Sequence, residues 1–180
     1  MGRVNFRETT FIPQICQMQP DGLQTCYTTS ILNGAIAIGK LSSDQAQQVQ
    51  TLLTTEFGGG YESVVFPNGG RFRVWQGNPK NISLAVRLAT GIELIIHEID
   101  LFEYPKIEEP RIVSLIRQSL YQGDTVVGTW SNHARVGTRD LKNPNRLVVV
   151  DPLFPNQPYV KPIRYFAQKT LSGGFLSIVA

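Results

Sequence analysis

At 180 residues and 20.1 kDa the chain is long enough for one domain with a sizeable core and short for two. Hydrophobic residues make up 42% and charged residues 17%, with 17 Lys and Arg against 14 Asp and Glu giving a formal charge of +3. The charges are interspersed, which argues against a nucleic-acid footprint or a polybasic membrane patch, and no apolar run approaches the ~18 residues of a membrane span.

Residues 1–18 alternate loosely through Val4, Phe6, Phe11, Ile12 and Ile15 and break at Pro13, the pattern of an extended lead-in. Arg3 and Arg7 are followed by no apolar stretch, so a secretory signal is not expected. Phe6 stands where a myristoylation signal beginning at Gly2 carries Ser or Thr, so a lipid anchor is not expected either. Together these features suggest a cytoplasmic protein, or one exported without a cleavable signal.

Gln19 to Thr25 is polar and turn-prone, with Pro20, Asp21 and Gly22 as breakers. From Cys26 the chain becomes small and apolar. Ile31, Leu32, Ala35, Ile36 and Ile38 fall at the spacing of a buried helix that Gly39 stops. Cys26 thus stands where a loop becomes the first turn of a core helix. Free backbone N–H groups and the helix dipole favour a thiolate at such a place. Its plain alternative is a small buried hydrophobe. Cys16 is the other cysteine, and one pair defines no disulfide scaffold, while two histidines are too few for a Cys/His zinc cage. A Cys16–Cys26 bridge in an exported protein would silence the sulfur.

Ser42-Ser-Asp-Gln45 reads as a capping box. The helix after it carries Ala46, Val49, Leu52, Leu53 and Phe57 on one face and ends at Gly58-Gly-Gly60. That triplet lacks the Lys and Ser/Thr of a phosphate loop, so it reads as a helix stop and a mobile loop, not a nucleotide site. Residues 61–77 hold two short strands around the turn Pro67-Asn-Gly-Gly70, and Asn78-Pro79 starts a helix that runs to Gly91. Ile92 to Leu101 contains an apolar run, Leu94-Ile-Ile96, typical of a short buried strand, in which His97 reads as a structural or surface histidine. Glu108 to Tyr121 is an amphipathic helix closed by Gly123. Thr125–Trp130, Ala134–Val136, Leu147–Val150, Pro158–Phe166 and Gly173–Val179 then read as strands. A helical front (about 14–121) and an antiparallel back (about 122–180) make an α+β fold, read as one domain of two lobes.

His133 follows one strand and opens the next, in Trp130-Ser-Asn-His-Ala-Arg-Val-Gly137. Asp151 ends a later strand, 18 residues on, which is room for strand, turn and strand. Antiparallel neighbours joined in this way bring Asp151 back beside His133, the last residue of one strand against the first of the other. A carboxylate there would fix the imidazole tautomer and leave the other ring nitrogen to act on a nucleophile. Cys26, His133 and Asp151 each fall at an element boundary, the ordered set that thiol catalysis needs.

With that set in place, the sequence resembles the papain-like cysteine peptidases. Gln19 lies seven residues before Cys26, Cys26-Tyr-Thr-Thr-Ser30 is similar to the segment after the family's nucleophile, and Asn132-His-Ala134 to the segment around its His. The compact size and the closing Asp151-Pro152 resemble the C39-like branch, which includes bacteriocin-leader peptidases. The resemblance implies a papain-like fold with Cys26 as nucleophile, His133 as general base, Asp151 as orienting residue and Gln19 as oxyanion donor. Tyr27-Thr28 stand where that branch usually has Gly-Pro, and the Gln spacing is one residue long, so Gln17 and Gln24 remain open as donors. It implies a thiol hydrolase acting on a peptide or isopeptide bond through a thioester, with a peptide or protein substrate, no cofactor and no metal. A bacterial effector or a processing peptidase would be compatible. A deamidase or transglutaminase-type acyltransferase would use the same triad, and a non-catalytic binding or scaffold domain would keep the fold without the chemistry.

Overall fold

The computed structural model describes residues 10–13, 26–55, 61–65, 71–75, 79–101, 108–130 and 133–180. Helix α1 (Cys26–Ala37) is followed by α2 (Ser43–Thr55), a hairpin of β1 (Tyr61–Val65) and β2 (Arg71–Trp75), α3 (Pro79–Thr90) and β3 (Ile96–Asp100). Then come α4 (Glu109–Gln122), β4 (Thr125–Trp130), β5 (His133–Arg139), β6 (Arg146–Val150), β7 (Tyr159–Pro162), α5 (Ile163–Gly173) and β8 (Phe175–Val179). Six of these strands form one antiparallel sheet in the order β3-β8-β4-β5-β6-β7.

The sheet is covered on both sides, and its strand sequences say why. Adjacent strand residues face opposite ways, so Val127 and Val150 join the core under α1, α2 and α3, while Val126 and Val149 join the core under α4 and α5. Burial on both faces explains the near-continuous Val-rich runs of β4 and β6.

The sheet holds α1 most closely. Eleven of its 12 residues are buried, apolar and small polar side chains alike. Gly34 lets it approach β4: a side chain there would begin 2.6 Å from Thr125 Oγ1. Its buried polar groups are satisfied by partners that tie it down. Asn33 accepts from the Ile12 N–H (2.9 Å) and donates to the Ile12 carbonyl (3.0 Å), and Thr29 accepts from Gln50 (3.1 Å). The helix ends at Gly39, whose φ of 75° allows the Gly39 and Lys40 N–H groups to fold back onto the Ile36 and Ala35 carbonyls. The expected capping box starts α2: Ser42 Oγ accepts from the Gln45 N–H (3.1 Å) and Gln45 Oε1 from the Ser42 N–H (2.9 Å).

Two sequence expectations need correction. The segment 158–166 is not one strand: β7 stops at Pro162, which caps α5. The reason is a change of period, since Ile163, Phe166, Ala167 and Thr170 follow helical spacing and are all buried. A strand forms within 92–101 as expected, but it is not the buried Leu94–Ile96 run. That run lies mostly ahead of β3, an edge strand whose His97 and Glu98 are exposed. From the front of the chain β3 joins the sheet by pairing with β8, and from the back α5 covers it. The Pro67–Gly70 turn, the Gly58–Gly60 loop, Asn78 and Cys16 lie outside the described residues.

Candidate active site

Cys26 is the first residue of α1 and His133 the first of β5, and Ala134 joins them. Its N–H donates to Cys26 Sγ at 3.4 Å, and its carbonyl accepts from Ser30 Oγ at 3.2 Å. Cys26 and Ser30 are four residues apart and share a helix face, so one residue of β5 fixes the register of the helix N-terminus. Tyr27 anchors the same turn from another side: its hydroxyl donates to Glu98 Oε2 (2.9 Å) and meets Ser177 Oγ (2.7 Å). Burial first, then the neighbouring Glu98 charge, holds the Tyr27 phenol well above its usual range.

Asp151 follows the last residue of β6. The β5–β6 register pairs Val136 with Val150, so one step further Asp151 stands opposite Arg135, not opposite His133 as the sequence suggested. The carboxylate reaches both residues. Oδ1 lies 2.6 Å from His133 Nε2 and accepts from the Leu153 N–H at 3.0 Å, while Oδ2 accepts from Arg135 Nε at 2.8 Å. Arg135 in turn lies over the Trp130 ring, 4.6 Å from its centroid.

With Nε2 committed to Asp151, Nδ1 is the ring nitrogen left to interact with Cys26. Burial would depress the His133 pKa, but the hydrogen bonds with Asp151 and Cys26 and the attraction of both groups for the imidazolium raise it to about 9. Burial would likewise raise Asp151. Hydrogen bonds from His133 and the Leu153 N–H, with the charges of His133 and Arg135, hold it below the ordinary carboxylate value instead.

The structure therefore brings Cys26, His133 and Asp151 together. Gln17, Gln19 and Gln24 lie outside the described residues. His97 is exposed on β3, consistent with its surface reading. Among the described residues no group of three or more His, Cys, Asp or Glu is placed to hold a metal ion, and no helix is long and apolar enough to cross a membrane. Sequence reasoning missed Arg135, although its signal was present: two residues after His133 in a strand, it faces the same side.

The arrangement sits in a known architecture. A candidate C39-like peptidase from Bacillus anthracis superposes with a TM-score of 0.51 over 100% of this chain and 98% of its own, at 14% identity. The fold is papain-like. UfSP from C. elegans also aligns, with a TM-score of 0.46, 14% identity, and coverage of 94% of this chain and 32% of its own. No family model matches the sequence, and no curated protein matches it.

Proposed function

We propose that this papain-like domain is a thiol hydrolase that cleaves a peptide or isopeptide bond with Cys26 as nucleophile, His133 as acid and base, and Asp151 as orienting group. The observation that carries the reading is His133 held between Cys26 and Asp151, with its Nε2 2.6 Å from the carboxylate. The imidazole takes the Cys26 proton, and the thiolate adds to the scissile carbonyl carbon. When the C–N bond breaks, the imidazolium gives its proton to the leaving amine, and the acyl group stays on sulfur as a thioester. Neutral His133 then takes a proton from water, hydroxide adds to the thioester carbonyl, and the C–S bond breaks to release the carboxylic acid. Gln19, with Gln17 and Gln24 as alternatives, would supply an oxyanion donor beside the Cys26 N–H.

Amide hydrolysis of a glutamine side chain, or transfer of the acyl group to an amine, would pass through the same thioester. A binding domain that has kept the fold is the second reading, favoured by the low exposure of Cys26, 8%. Incubating the protein with a mixed peptide library and reading cleavage by mass spectrometry separates these. New termini that vanish in Cys26→Ala support the hydrolase. An intact library, together with no thioether adduct on Cys26 from peptidyl fluoromethyl ketone probes, which lose fluoride to a reactive thiolate, supports the binding domain.

A further inference from the structure

We propose that Arg135 is a positioning residue for this set: it holds the second oxygen of Asp151 and compensates its charge, so that the carboxylate orients His133 without trapping its proton. The inference rests on the hydrolase reading above and adds a residue to it. Arg135 stands opposite Asp151 in the β5–β6 register and donates Nε to Oδ2 at 2.8 Å. Its guanidinium is itself fixed, lying 4.6 Å above the Trp130 centroid, with Tyr159 near enough to feel its charge. Trp130 is packed in turn edge-on against Phe166 and Tyr165 at 5.3 and 5.8 Å. The arginine is thus a built contact, with its side chain only 21% exposed.

The charge balance gives this contact a purpose. An aspartate beside an imidazolium holds the proton more firmly than a neutral amide would, and an acid that holds its proton too firmly is slow to protonate a leaving amine. A cation on the far oxygen offsets part of that attraction. The groups facing the imidazole and its carboxylate are Cys26 from α1, Arg135 from β5, Asp151 after β6 and, through Arg135, Tyr159 from β7. Among them Arg135 is the permanent cation.

The test is the titration of the His133 ring followed by NMR in the full chain. With two histidines in the sequence, the His133 signal is the one absent from His133→Ala. The wild-type midpoint is expected near 9. Arg135→Met, which keeps most of the side-chain length, should raise it by about one pH unit, a tenfold gain in proton affinity. Arg135→Lys keeps the charge and should return it to near the wild-type value. A midpoint unchanged or lowered in Arg135→Met, or raised as far in Arg135→Lys, overturns the inference. The hydrolase reading is judged separately by whether Cys26 alkylation depends on His133. Dependence on His133 with an unmoved midpoint in Arg135→Met defeats this inference alone.

Discussion

The sulfur of Cys26 and the backbone of Ala134 are 108 residues apart in sequence and in hydrogen-bonding contact in space, with N–H to Sγ at 3.4 Å. The contact places the first turn of the central helix beside the first residue of β5, where the imidazole is. What moves Cys26 or Asp151 relative to this strand should therefore act on His133.

The acid–base groups predict how stability varies with pH. His133 is raised to about 9 from its ordinary 6.5, so its contribution is fully present below pH 6.5 and is lost as pH rises through about 9. Urea midpoints of wild type and His133→Ala should converge between those values, and a constant gap up to pH 10 would contradict this. Asp151 is lowered, so its contribution is present above the ordinary carboxylate range and is lost as pH falls through its depressed value.

Asp151→Asn is expected to weaken turnover less than Cys26→Ala or His133→Ala. The amide can still meet His133 and the Leu153 N–H region, whereas the other two changes remove reacting atoms. Initial rates on whichever peptide the library yields decide it, and equal, complete losses in all three would show that the charge of Asp151 is indispensable.

Tyr27→Phe removes a hydroxyl that bridges α1 to β3 and β8. A hydrogen bond to a charged group contributes on the order of 1.5–3 kcal/mol, less where solvent competes. Because Glu98 is exposed, chemical denaturation should read a loss of about 1 kcal/mol.

Leu32→Ala should destabilise by roughly 2–5 kcal/mol, the range for emptying a packed core site. Leu32 has no exposed surface on a helix clamped between the sheet and α2. Ser42→Ala, which removes the α2 cap accepting from Gln45, should cost about 1 kcal/mol. Thermal melts that rank the two changes in the opposite order would contradict this account of the core.

Much of the architecture was legible because local signals were strong. Periodicity and glycine stops marked α1, α3 and α4, the Ser42–Gln45 pair marked α2, and β-branched runs marked β4 and β6. The helix α5 was missed because Tyr159, Val160, Tyr165 and Phe166 have strand-like chemistry, and only the burial pattern from Ile163 onward tells the two periods apart. Cys26, His133 and Asp151 could be singled out as candidates by their order at element boundaries. The register was not legible, because a turn of unknown geometry leaves strand pairing open by a residue or two. The place of Arg135 opposite Asp151 could therefore not be read, although its spacing from His133 put the two on one face.

The measurement that bears most directly on the site is the pH dependence of iodoacetamide labelling at Cys26 in wild type and in His133→Ala. A Cys26–His133 ion pair predicts fast labelling that persists well below pH ~8.5, the range of a free thiol, and slows when the imidazole is removed. Labelling that is slow throughout, or the same in both proteins, would contradict it and leave the binding-domain reading in its place.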